Sequence, residues 1–338
     1  MIEVKHISKD FISPKKYPGL KGAIKGLFSN EKIVKRAVDD ISFTIRDGEI
    51  VGYIGSNGAG KSTTIKMMTG ILTPTAGECL VNDVNPGKQR KENARNIGVV
   101  FGQRTQLWWD LPLSESFTIL KEIYNVSDTD YRERMEFLND VLELSDFFDR
   151  PVRTLSLGQR MRADLGAALL HNPKVLYLDE PTIGLDLVVK DNIRRAIREI
   201  NEAYRTTVIL TTHDIGDIEE LCSRIIIIDE GRKIYDGSLE ALKDAYGTGR
   251  RVSMVVKKPD NIKTLDLAGK LGVLPEECRM EWDQNTLSVT FDKHRLQVPQ
   301  VMSAVMELTE VQDIRIQETE LAEIVKQIYR HGLAPETV

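Results

Sequence analysis

Residues 55–62 read GSNGAGKS and fit the spacing G-x-x-x-x-G-K-[ST]. Glycines at this spacing let the backbone N–H groups of Gly55, Ser56, Asn57, Gly58, Ala59 and Gly60 turn inward around phosphate oxygens. Lys61 would then reach the outer phosphates, and Ser62, followed by Thr63, would ligate Mg²⁺. Far downstream, VLYLDE ends in two acids. Asp179 is suited to holding the water shell of that metal, and Glu180, just past the strand end, to activating an attacking water. Between these two stretches lies LSLGQR, residues 155–160. Its Ser156 and Gly158 open what reads as a helix, a second ready place for an anion. One chain thus carries two phosphate-type sites.

These residues need a scaffold that brings them to one edge. AVDDISFTIRDGEIVGYIG reads as a strand, an Asp-Gly turn and a second strand that runs into the glycine loop and a helix at 62–69. IGVVFG, VLYLD, TTVILTTH and RIIIIDEG are apolar runs of the kind buried on both faces of a parallel sheet. Residues 114–150 follow a helical pattern, with Met135, Leu138, Val141, Leu142 and Leu144 as one stripe, and Ile193, Ile197 and Ile200 form another. Strands and helices alternate, so residues 1–245 are expected to form an α/β domain with a mainly parallel sheet. The polar break YGTGRR ends it. Residues 251–335 then alternate strand (RVSMVVKK, TLSVTF, VQDIRIQ) and helix (261–271, 298–308, 319–330) and read as a small α+β domain.

Bulk properties exclude several classes. The net charge of −5 gives no overall nucleic-acid footprint. Cys79, Cys222 and Cys278 are odd in number and far apart, which suggests buried thiols in a reducing compartment. The N-terminus has no apolar signal core, and no run approaches the ~20 apolar residues of a membrane span. A cytoplasmic chain is expected, docked on a membrane partner if on a membrane at all. One segment, 13–36, stands apart as a basic insertion in which Leu20, Ile24, Leu27 and Phe28 fall at helical spacing. It reads either as a membrane- or partner-facing amphipathic stretch or as a solvated loop.

With these motifs assembled, residues 1–240 resemble the ATP-binding-cassette ATPases. GSNGAGKS is similar to the family's Walker A loop, LSLGQ to its signature motif and LYLDEP to Walker B with its catalytic glutamate. Gln103 after VVFG matches the Q-loop glutamine that touches Mg²⁺ and water. Asp186 in IGLD matches the D-loop, and His213, ending VILTTH, the switch histidine. The resemblance implies a P-loop domain with a helical subdomain at 104–157, and ATP and Mg²⁺ as cofactors. It implies that two cassettes pair head to tail, so that Ser156, Gly158 and Gln159 of one cap the γ-phosphate held by the other. Leu157 stands where the family usually has glycine. An aromatic under adenine is also implied: Phe11, with Tyr17 as the alternative.

The coupled load follows from the same resemblance. VFGQRTQLWWDLP and the insertion look like an exporter-type subfamily whose ATPases pair with separate permeases. On a regular helix at most one of Trp108 and Trp109 would face inward, leaving the other as a docking anchor. The expected protein is a transport ATPase at the cytoplasmic face of the membrane, held there by permease subunits, with no nucleic-acid partner. The second reading is a soluble ATPase of the same family acting on ribosomes or nucleic acid. Against it, such members carry two cassettes or a long coiled coil, and neither is present here.

Overall fold

A computed structural model describes residues 1–15, 31–102, 104–259, 262 and 265–331. The chain divides into two compact units, Met1–Gly237 and Ser238–Val338. The helix Leu239–Tyr246 therefore goes with the second unit, not with the first, where a boundary at 245 would put it.

In the first unit, β1 (Ile2–Pro14), β2 (Lys32–Ile45) and β4 (Ala76–Val81) form an antiparallel sheet in the order β2-β1-β4. A six-stranded sheet runs β5-β6-β7-β3-β8-β9, with β3 (Ile50–Gly55), β5 (Ile97–Phe101), β6 (Val175–Asp179), β7 (Thr207–Thr211), β8 (Arg224–Asp229) and β9 (Arg232–Ser238). Pairing is parallel from β5 through β8. Val175, Leu176, Tyr177 and Leu178 are all fully buried, as a two-sided strand requires. The two sheets share one apolar core that includes Ile2, Ile41, Tyr53, Ile65, Met68, Tyr177 and Ile226.

The helices follow local chemistry. α1 (Lys61–Met68) starts from Gly60, and α2 (Arg90–Asn96) precedes β5. The helical pattern at 114–150 breaks into α3 (Leu113–Tyr124) and α4 (Asp128–Leu142), because Asn125 turns left-handed at φ 52° and Ser127 caps the second helix by accepting from Asp130 N–H. α5 (Leu157–Leu169) carries a capping box: Ser156 Oγ accepts from Gln159 N–H, and Gln159 Oε1 accepts from Ser156 N–H. α6 (Leu187–Tyr204), capped by Asp186, buries Ile193, Ile197 and Ile200, the stripe that spacing predicts. α7 (Ile215–Leu221) is capped by Asp214.

Two expectations change. Residues 104–112 form a non-helical strap, so Trp108 and Trp109 do not alternate around a helix, and both are partly exposed, at 38% and 46%. Pro112 ends the strap, and Arg153 N–H and Val152 N–H bond to the carbonyls of Trp109 and Leu111. The edges of the 13–36 insertion are strand: Ile12 pairs with Val34 and Ser13 with Ile33, as β-branched residues favour. Its middle, with Tyr17 and the helical stripe at 20–28, lies outside the described residues.

The second unit has a four-stranded antiparallel sheet in the order β11-β12-β10-β13, formed by Gly249–Val256 (β10), Cys278–Asp283 (β11), Thr286–Asp292 (β12) and Val311–Glu318 (β13). Its core joins Val252, Met254, Leu287, Val289 and Phe291 to Val301 and Val305 of the helix Val298–Met306. β11 is absent from the sequence reading, because CRMEWD alternates charge and bulk on a half-covered edge. Of the helix expected at 261–271, Leu267–Leu271 is described.

One packing detail has a pH consequence. The His171 ring stacks on Tyr124 at 3.8 Å, and its Nε2 lies 3.0 Å from Ile97 O. Burial pushes its pKa down to about 4. The native state holds this ring neutral, while the unfolded chain protonates it near pH ~6.5. Stability is therefore lost as pH falls from that value toward 4. His171→Phe is expected to lose less stability than the parent across this window in urea unfolding at stepped pH. Parallel losses would contradict the assignment.

Candidate functional site

The parallel register brings several strand ends level. Phe101 pairs with Asp179, Asp179 with Thr211, and Gly55 with Ile228. The chemistry-bearing residues sit at or just past these ends.

After β3 the chain enters the glycine loop. Gly58 and Gly60 have φ of 86° and 105°, the left-handed region that favours glycine. A Cβ on Gly60 would lie 2.6 Å from Ala37 O, while one on Gly58 would meet nothing within 4 Å. The loop is pinned on one side and open on the other, as a phosphate cradle must be. Lys61 is 8% exposed, and its Nζ donates to Gly55 O at 2.6 Å and Ser56 O at 3.2 Å. Desolvation lowers its pKa, opposed by the charges of Glu180 and Asp179. A largely buried ammonium resting on carbonyls beside an open loop fits an anionic ligand. Ser56 Oγ donates to Asp229 Oδ1 at 2.5 Å and ties the loop to the end of β8.

Across from it, Ser62 Oγ lies 3.4 Å from Asp179 Oδ2, and Thr211 Oγ1 donates to Asp179 Oδ1 at 2.5 Å. A hydroxyl beside a carboxylate is a hard oxygen pair that suits Mg²⁺, which keeps several waters and takes phosphate oxygens for the rest. Among the described residues no cluster of three His, Cys, Asp or Glu forms a closed metal cage. Glu180 sits at φ 58°, a strained backbone for a non-glycine residue. Its N–H donates to Thr211 O, and its Oε1 lies 3.0 Å from His213 Nε2. Glu180 and His213, distant in sequence, are brought together.

A cavity of about 630 Å³ joins Phe11 to Ser62, Thr63, Lys66, Asp179 and Glu180. Phe11 is 41% exposed, and Lys9 Nζ lies over its ring, 5.6 Å from the centroid. Ser156, Gly158, Gln159 and Asp186 do not line this cavity. They form a second locus at the N-termini of α5 and α6, where a Cβ on Gly158 would lie 2.8 Å from Val189 Cγ1. Around them Leu157, Ile183, Leu187 and Val188 are exposed. Gln103 lies outside the described residues, but both its neighbours are described.

This arrangement fits the outcome of comparison with known proteins. The family model described as ABC transporter matches residues 38–183. The ABC transporter ATP-binding protein NatA of Bacillus subtilis (strain 168) is 33% identical over 218 residues, covering 64% of this chain and 88% of that protein. The chain belongs to the ABC transporter family. It is an ATP-binding subunit of an ABC transporter and an ATPase. The ABC-type organic anion transporter ABCA8A of Mus musculus is 34% identical over 267 residues, which is 79% of this chain but 16% of that longer protein. A dimeric post-hydrolysis structure of the ATP-binding cassette MJ0796, bound to ADP and Pi, superposes with a TM-score of 0.58 at 26% identity. It covers 71% of this chain and 99% of that one. Among the described residues no helix is long and apolar enough to cross a membrane.

Motif spacing missed the residues that hold the motifs. Thr211 and Asp229 brace Asp179 and Ser56. Asp217, fully buried, accepts from Thr182, Thr212 and Arg194 and so fixes the turns on either side of Glu180 and His213. Only their place after apolar strands or near His213 could have pointed to them. Gly102 is a further case: its N–H donates to Asp179 O at 2.8 Å, and a Cβ there would lie 2.4 Å from Glu180 O. Gly102→Ala is expected to push Glu180 out of line and lower kcat about 10-fold, equal to ~1.4 kcal/mol of barrier, while ATP affinity stays within about threefold. Steady-state ATPase assays with a nucleotide-binding titration check this. Wild-type kcat would refute the close-approach argument.

Proposed function

We propose that this chain is the motor subunit of an exporter-type ABC transporter, working as a pair of cassettes on separate membrane permeases. The observation that carries the reading is the separation of its two phosphate-type loci. Ser62, at the end of the glycine loop, lines one cavity with Asp179 and Glu180, while Ser156, Gly158 and Gln159 at the start of α5 do not line it. A second copy or a paralogue would supply the missing half. The N-terminus of α5 then offers Ser156 and its N–H groups, with the positive dipole end, to the γ-phosphate held by the partner.

Within one half, Lys61 and the loop N–H groups bind the phosphates, and Phe11 supports the adenine. Ser62 and Asp179, with Gln103, would hold Mg²⁺, which neutralises phosphate charge when bound. Glu180 orients and deprotonates the attacking water. His213, 3.0 Å from Glu180, keeps that carboxylate aimed. Asp186 caps α6 by accepting from Val189 N–H and shapes the second locus.

For the load, the exposed Trp108 and Trp109 support a docking anchor just after Gln103. The lysine-rich segment 13–36 supports a peripheral contact with a membrane or permease. Export is the direction suggested by the likeness of VFGQRTQLWWDLP to exporter-type cassettes.

Glu180→Gln is expected to bind ATP, slow turnover by about 10²–10⁴-fold, the usual worth of a general base, and accumulate an ATP-dependent dimer in light scattering. Lys61→Ala should lose nucleotide affinity in the same assays. A tagged Glu180→Gln chain pulled from its native cells with ATP should bring a multi-span membrane protein. Normal turnover in both variants would refute the site. Ribosomal or nucleic-acid partners in place of a permease would refute the transporter load.

A further inference from the structure

Asp164 lies in the middle of α5, eight residues past the Ser156 cap. Most of this helix is buried, and Asp164 with it, at 6% exposed. No salt bridge neutralises it among the described residues. A buried carboxylate of this kind is costly unless its hydrogen bonds justify the site. Burial pushes its pKa up to about 6, against the pull of the bonds it accepts.

Those bonds all reach one place. Thr105 Oγ1 donates to Asp164 Oδ1 at 2.8 Å, and Gln106 N–H donates to the same oxygen at 3.1 Å. The Gln106 side-chain amide donates to the Asp164 backbone carbonyl at 3.2 Å. Thr105 Oγ1 in turn accepts from Leu107 N–H at 3.1 Å, so the hydroxyl is fully used. The same stretch is tied to α5 and its approach at two more points. Arg160 stacks over the Trp109 ring at 4.6 Å, and Arg153 donates to Asp110 at 2.8 Å.

The strap begins directly after residue 103. On one side of that residue, Gly102 N–H is fixed to Asp179 O at 2.8 Å. On the other, Arg104 N–H closes a turn onto Phe101 O at 2.9 Å, and Thr105 is fixed to Asp164. Gly102 and Arg104 are thus held between the strand that ends in Asp179 and the helix capped by Ser156. Phe101, Gly102 and Arg104 wall both the phosphate-side cavity and a second cavity, of about 250 Å³, that Asp164, Leu157 and Ile183 also line.

We propose that Asp164 is a positioning residue for ATP hydrolysis: its Oδ1 clamps the strap at Thr105 and Gln106 and so holds Gly102 and Arg104, the wall shared by the two cavities, in register with the Ser156 end of α5. This rests on the assignment of Glu180 and Ser156 given above. The clamp acts through an acceptor oxygen, not through charge, because both donors use Oδ1. An asparagine keeps that oxygen, and a leucine of similar size removes it.

The test is steady-state ATP hydrolysis over a range of ATP concentrations for the parent, Asp164→Asn, Asp164→Leu, Thr105→Val and Glu180→Gln. Asp164→Leu is expected to lower kcat at least tenfold with KM for ATP within threefold, since the phosphate loop is untouched. Asp164→Asn should stay within threefold of the parent. Thr105→Val, on the strap and outside the helix, should lower kcat about threefold to fivefold, and adding Asp164→Leu to it should give no more loss than Asp164→Leu alone. If Asp164→Leu does not fold, Thr105→Val against Asp164→Asn carries the same comparison. Wild-type kcat in Asp164→Leu or Thr105→Val overturns the proposal, as does an equal loss in Asp164→Asn and Asp164→Leu. Glu180→Gln separates the two levels. If it hydrolyses ATP like the parent, the site assignment fails. If it is inactive while Asp164→Leu is not slowed, the clamp alone fails.

Discussion

Parallel pairing of β5, β6, β7, β3 and β8 is the constraint on which the site depends. The register sets the ends of these strands side by side, and the residues past the ends inherit that alignment. Gly102, Asp179, Thr211 and Gly55 need no further device to meet. The sheet can be parallel because its strands are apolar on both faces and helices cover them. Its stability is thus spent in the interior, while the polar rim at one edge carries strained features such as the left-handed Glu180. The strain is tolerable because Thr211 O accepts the Glu180 N–H and Gly102 leaves room for its carbonyl.

Much of this was legible in the sequence, for identifiable reasons. The glycine loop is readable because few residues can turn a backbone around phosphate, so composition and conformation coincide at Gly58 and Gly60. VLYLD is readable because a strand buried on both faces cannot carry a charge until it ends. The cap at Ser156 is readable because its partner, Gln159, lies three residues away. Each of these signals is local.

What the sequence hid is non-local. Asp164 is indistinguishable from a solvated helix acid until Thr105, 59 residues away, is laid against it. Asp217 likewise gains its meaning from Arg194 and Thr182. RTQLWWDLP follows a helical expectation only if its surroundings are ignored, since its backbone bonds go to residues 152 and 153. β11 was missed because an edge strand shows half its residues to solvent. The hidden residues are those that hold one element against another, which is also why the clamp at Asp164 carries information that the motifs do not.

In the proposed pairing, one chain offers two half-sites that a partner must complete. The most direct measurement mixes two damaged chains: Lys61→Ala, with its Ser156 end intact, and Ser156→Arg, with its glycine loop intact. Each alone is expected to hydrolyse ATP poorly. Their mixture should regain activity, because one complete site forms between the good loop of one chain and the good helix end of the other. No regain, with both chains folded and the Ser156→Arg chain still binding ATP, would contradict the shared site and return hydrolysis to a single chain.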